Sequence, residues 1–145
     1  GETSFDQIYR AVNEYRSKYP EKAVVHSRRG ADFTNWASFM AGGSFASLPV
    51  IDDASFFEKT GEMKSFTVNQ GDQKHYVLEK ADRGFVLFSH SPEINLEQMD
   101  IEDRYHLKWI DPVTGEIKDA SMNVSAESTV LKSPFEGASV AWLYK

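Results

Sequence analysis

The stretch YHLKWIDPVTGEIKDA, residues 105–120, decides the fold. Tyr105, Leu107 and Trp109 alternate with His106 and Lys108. That period of two sends successive side chains to opposite faces of a β-strand. The run is then broken by Asp111-Pro112-Val113-Thr114-Gly115. Pro112 presets φ for the second position of a type I turn, Asp111 can accept bonds from the amides ahead of it, and Gly115 supplies a positive φ. Strand character resumes beyond Glu116, so the stretch reads as a hairpin with a five-residue corner. It does not read as a calcium loop, which needs several oxygen ligands at alternate positions; Asp111 has only the carboxylates of Glu116 and Asp119 nearby.

Working outward, the same texture extends from about residue 62 to the end of the chain. Short β-branched and aromatic runs occupy Met63–Val68, His75–Lys80, Gly84–Ser89, Ile94–Met99, Tyr105–Ile110, Glu116–Ala120, Met122–Ser125, Ser128–Leu131 and Ser139–Tyr144. Turn signals such as Asn69-Gln70-Gly71-Asp72 and Ser133-Pro134 separate them. Short strands at this spacing predict an antiparallel β-sandwich of about seven to nine strands.

Upstream the period changes to three and four. Phe5, Ile8, Val12 and Tyr15, with Tyr9 beside them, form one apolar stripe and predict a helix over 5–18. Ser4 and Gln7 look like its capping box, and Pro20 stops it. Ala23–His26 reads as a short buried strand. Asp32 would cap a second helix over 32–41, with Phe33, Trp36, Ala37 and Met40 on its apolar face and Gly42-Gly43 ending it. A helical turn is expected at Ala54–Glu58. The predicted class is therefore mainly β, a sandwich with two N-terminal α-helices, divided into a helical segment 1–61 and a β-sandwich domain 62–145.

Composition narrows the function. The chain has 145 residues, 41% hydrophobic and 26% charged, which suits a globular body with a sizeable core. It has no cysteine, so disulfides, thiolate catalysis and Cys-ligated metals are excluded. Net charge is −6 and the one cationic cluster is Arg28-Arg29, so no basic footprint for nucleic acid is present. No apolar run is long enough to span a membrane. The chain opens on Gly1 rather than Met and shows no signal peptide, and Gly1 reads as a scar of tag removal. An export signal or a larger domain upstream is therefore an open expectation.

Catalytic signatures are sparse. His26, His75, His90 and His106 fall into no metal-ligand spacing, and no G-x-S-x-G elbow occurs. The acidic clusters cannot be resolved into the carboxyl pair that glycoside hydrolysis needs. His75 and His106 are expected on the outward phase of their strands, Trp109 and Trp142 on the inward phase. The weak binding candidates are His26 and Arg28, just past the short strand, and the aromatic rings of Tyr76 and Phe85 near turns. No cofactor and no metal ligand set is indicated.

Three stretches together resemble a known family. Arg29 to Ser44, with Trp36-Ala37 and Gly42-Gly43, is similar to the segment that closes the (β/α)₈ barrel of some bacterial agarase-like glycoside hydrolases and related hydrolases with a collagen-binding-like sandwich. Trp109-Ile110-Asp111-Pro112-Val113-Thr114-Gly115-Glu116 and Pro134-Phe135-Glu136-Gly137 through Trp142 are similar to the hairpin and last strand of their C-terminal β domain. The resemblance implies that 1–61 is the last β/α portion of a barrel and 62–145 the sandwich behind it. It implies a secreted, periplasmic or cell-surface protein, with the barrel and a polysaccharide as partners. The earlier barrel strands, which carry the catalytic carboxylates in such enzymes, have no counterpart here. What remains implies a non-catalytic accessory region that buttresses the barrel and touches glycan. A free-standing carbohydrate- or protein-binding module is the alternative, and an independent hydrolase a third.

Overall fold

The computed structural model describes residues 2–19, 36–42, 48–49, 51, 53, 55–70, 73–80, 83–97, 99 and 101–145. The predicted strand 23–26, His26, Arg28, the Asp32 cap and Phe33 lie outside these residues. Among the described residues three helices, α1 (Glu2–Lys18), α2 (Trp36–Met40) and α3 (Ser55–Thr60), precede eight strands. These are β1 (Lys64–Gln70), β2 (Gln73–Lys80), β3 (Gly84–Ser89), β4 (Glu93–Asn95), β5 (Tyr105–Ile110), β6 (Ile117–Val124), β7 (Val130–Lys132) and β8 (Ser139–Tyr144). The fold is mainly β and sandwich-like, as predicted. A six-stranded antiparallel sheet runs in the order β1-β2-β3-β8-β5-β6, and β4 pairs with β7 in a second, two-stranded sheet.

The central strands explain their own sequences. β3 and β8 are covered on both faces and read as continuous apolar runs, Phe85-Val86-Leu87-Phe88 and Val140-Ala141-Trp142-Leu143. Their side chains alternate between two cores. Val86, Phe88, Val140 and Trp142 enter the core beneath the helices with Phe5, Tyr9, Trp36, Phe39 and Phe56. Phe85, Leu87, Ala141 and Leu143 enter a second core closed by Ile94, Leu96, Ile101 and Leu131. Trp109 and Trp142 are both inward, as expected, but into opposite cores.

Helix α1 begins at Glu2, so Ser4 lies within the helix and not at its cap. Phe5, Tyr9 and Val12 are its buried residues; Tyr15, expected on the stripe, is 40% exposed and packs beside Tyr19. Ile94–Met99 is shorter as a strand than expected. After Asn95 the chain turns, with Met99 N donating to the Leu96 carbonyl at 2.9 Å, and its apolar side chains are spent on the second core. The two short strands expected at 116–125 are one, β6, interrupted by Ser121 at φ 54° and by a register shift opposite His106/Lys108.

The corner at 111–115 forms as the sequence prescribes. Asp111 Oδ1 accepts from Val113 N at 2.8 Å and Thr114 N at 3.2 Å. Gly115 has φ 81° and donates to the Asp111 carbonyl at 2.9 Å. The corner has a second task. Trp36 Nε1 donates to the carbonyl of Pro112 at 2.8 Å, in the buried interior. A buried indole N–H needs a partner, and the hairpin corner of the β unit supplies it.

Candidate functional site

The helix-side face of the large sheet is polar at one end. In the pairing of β5 with β8, Lys108 stands opposite Trp142 and His106 opposite Tyr144. The rings follow one another along the row, each tilted to the next. Trp142 and Tyr144 have centroids 4.6 Å apart at 33°, and His106 lies 5.4 Å from Tyr144 at 37°. Next along the row is Gly84 of β3, register partner of Tyr144. Its φ is +146° and a Cβ there would fall on the Leu143 carbonyl oxygen, so only glycine fits. The side of Tyr144 that faces β3 therefore meets a position without a side chain.

Two ammonium groups converge on these rings. Lys59 Nζ, from α3, lies 4.6 Å from the Tyr144 centroid and 5.7 Å from that of Trp142. Lys108 Nζ lies 5.3 and 5.6 Å from the same centroids. Aromatic faces attract cations through their quadrupole. Lys108 is further fixed by Asp53 Oδ2 at 3.0 Å. Its pKa is raised, first by the hydrogen bond to Asp53 against the opposing effect of burial, then by Tyr144 and the Asp53 charge. Asp53 is held low, first by the Ser55 hydroxyl at 2.7 Å, against burial, and then by Lys108. Lys59 makes no ion pair among the described residues. Asp119, the β6 partner of Lys108, spends Oδ1 on Ser121 N at 2.8 Å.

The other concavities differ. A hollow of about 410 Å³ beside β1 and β2 is rimmed by Glu62, Lys64, Phe66, Glu79 and Lys80. Its charges compensate one another: Lys64 pairs in register with Glu79, and Lys80 Nζ is 3.1 Å from Glu62. A smaller one of about 150 Å³ lies between Arg16, Phe39, Phe57, Thr60, Met63 and Leu78, where the helix ends meet.

The sequence-predicted site residues do not converge. Tyr76 and Phe85 point into opposite cores, at 1% and 4% exposure, so neither presents a ring to solvent. Tyr76 is a clamp: its hydroxyl donates to Asp6 Oδ1 at 3.0 Å, alongside Lys74 Nζ at 2.8 Å, while Arg10 Nε meets Oδ2 at 2.7 Å. Burial would raise the Asp6 pKa; the bonds from Lys74 and Tyr76 and the charges of Lys74 and Arg10 outweigh it and hold it low. Phe85 packs edge-to-face on Tyr105. His106 is exposed, as expected, but His75 is buried at 2%, on the face of the second core, with Nδ1 unpartnered among the described residues. Burial lowers its pKa.

Lys108, Tyr144, Lys59 and Asp53 escaped the sequence reading. Alternation placed Lys108 and His106 on one face, but nothing in the sequence paired them with Trp142 and Tyr144. Lys59 and Asp53 arrive from some fifty residues upstream of Lys108, and no local signal marks them. The described residues hold no cluster of His, Asp and Glu fit for a metal ion. Among them no helix is long and apolar enough to cross a membrane. Among the described residues, the two carboxylates with shifted proton affinity, Asp6 and Asp53, are held low, the opposite of what a general acid needs.

No curated protein matches this chain. Residues 1–63 match a family model described as a domain of unknown function (DUF6298), a match that ends one residue before β1.

Proposed function

We propose that this chain is the non-catalytic C-terminal accessory region of a polysaccharide-active glycoside hydrolase, which buttresses the catalytic barrel through its helices and contacts glycan. The observation that carries the reading is the shared core of helices and sheet, fastened by Trp36 Nε1 on the Pro112 carbonyl. A body continuous with the helices would be held against the β unit by this core. The resemblance of 29–44 and 109–116 to the barrel-closing helix and sandwich hairpin of agarase-like enzymes supports the same arrangement. The test is release of reducing sugar from a panel of plant and marine polysaccharides. The chain alone should stay at blank level. Turnover that vanishes on substitution of one Asp or Glu of this chain would overturn the reading.

A second reading, a free-standing carbohydrate-binding module, is favoured by the Lys59–Lys108–Tyr144 shelf. A module of that kind would bind glycan with full affinity when no barrel is attached.

A further inference from the structure

Lys59 and Lys108 bring two like charges onto one pair of rings. Like charges repel, and the repulsion is stronger near a low-dielectric wall such as Trp142, which is fully buried. Asp53 compensates Lys108 at 3.0 Å, and the rings compensate part of the rest. Lys59 keeps an exposed ammonium with no carboxylate partner among the described residues, in a chain whose net charge is −6. An anion placed over the shelf would meet Lys59 directly and relieve its repulsion with Lys108. Around this point the shelf offers further hydrogen-bonding groups: the Tyr144 hydroxyl, the His106 ring and, on β6, Asn123, register partner of His106. An anionic group framed by hydroxyl-binding donors and an aromatic ring is the chemistry of an acidic sugar.

We infer that the shelf of Lys59, Lys108, Tyr144 and His106 binds the anionic group of an acidic polysaccharide, a carboxylate or a sulfate ester, with Lys59 as the residue that selects for charge. The inference rests on the glycan-contacting part of the proposed function and deepens it. Lys108 is the fixed partner, held by Asp53 and the rings; Lys59 is the adaptable one, on the last turn of α3.

Calorimetric titration tests this with three oligosaccharides: a polyuronate, a sulfated galactan and a neutral galactan. The intact chain should bind an acidic ligand more tightly than the neutral one, and added salt should weaken only the acidic complex. Lys59→Gln should cost about ten- to a hundredfold in affinity for the acidic ligand, the range of one charge-assisted bond, and leave the melting temperature unchanged. Lys118→Gln is the control. It removes the same charge from a residue placed over the Phe135 ring, which packs on the second core, and should change nothing. The polyuronate and sulfate arms report which anion is taken. Equal affinity for acidic and neutral ligands, untouched by Lys59→Gln, overturns the charge inference and leaves a glycan-binding chain. Equal losses in both lysine variants overturn the site, since bulk charge would then be responsible. Absence of binding to all three overturns the inference and the glycan contact together, while the sugar-release test of catalysis stands apart.

Discussion

The face of the large sheet beneath the helices and the face beneath β4 and β7 are closed by different means. The second face is covered by its own strands and loops. Its core runs from Val68 to Leu143, is largely aliphatic, and among the described residues includes nothing from α1, α2 or α3. The first face is covered by residues far away in sequence. Phe5, Tyr9 and Phe56 meet Tyr76, Phe88 and Trp142 ring against ring, and Trp36 and Phe39 pack on Phe56 in the same core. Polar bonds key the contact at several points: Trp36 to Pro112, Asn13 Nδ2 to Ser65 Oγ at 2.9 Å, Lys74 and Tyr76 to Asp6, Lys108 to Asp53. Short amphipathic helices are not stable alone in water and draw their stability from the surface they cover. The comparison teaches that the β unit supplies one core by itself, whereas the helices have no core without the sheet.

The sharpest way to break this comparison is to remove one large side chain from each face. Trp36→Ala should cost about 3–5 kcal/mol, and Leu107→Ala, on the second face, about 2–5 kcal/mol. Both should shift a single urea transition. A Trp36→Ala loss under about 1 kcal/mol would mean that the helix is peripheral, since a buried ring of this size cannot be so cheap.

The polar keys come next. Asp6→Ala leaves Lys74 and the Tyr76 hydroxyl without their shared acceptor and should cost about 1–3 kcal/mol. The carboxylate is held low in the folded state, so its contribution is present above pH 3.8 and is lost as pH falls below that value. Urea midpoints of the two proteins should therefore converge in acid; a difference that persists there would assign the effect to packing.

At the corner, Gly115→Val should cost about 1–3 kcal/mol, because a β-branched residue resists a φ of 81°. Asp111→Asn should cost far less, since Asn can accept the same bonds from the amides of Val113 and Thr114. Thermal melts rank the two. The reverse order would refute the turn account.

The smallest expected effect lies on the second face. His75 has a lowered pKa because it is buried, so the unfolded chain takes up a proton first as pH falls. Its share of stability is present above pH 6.5 and is lost as pH falls through and below that value. His75→Gln, neutral throughout, should flatten the melting temperature between about pH 5 and 7. An unchanged slope would show that other groups set it.

The legible part of this fold was what neighbouring residues dictate. Strands Tyr105–Ile110 and Ser139–Tyr144 were placed to the residue, because alternation or a continuous apolar run bounded by turn residues leaves little freedom. The 111–115 corner was legible for the same reason. What was not legible depended on which surface covers which. His75 looks solvent-facing from its phase, yet Ile94 of β4, Leu131 of β7, Leu96 and Ile101 close that side of the sheet. Tyr76 and Phe85 look like platforms until the sheet is seen to be covered on both faces. The candidate site was the least legible, since its pairings cross β5 and β8 and its second ammonium comes from α3.

Amide hydrogen exchange in the native state tests the central claim, that helices and sheet are one body, most directly. Amides of α1, at Tyr9 and Val12, should open with the same free energy as those of β3 and β8, and Trp36→Phe, which loses the bond to Pro112, should lower both sets by an equal amount. Exchange of α1 at a much smaller free energy than the strands, with only the helical amides responding to Trp36→Phe, would contradict it.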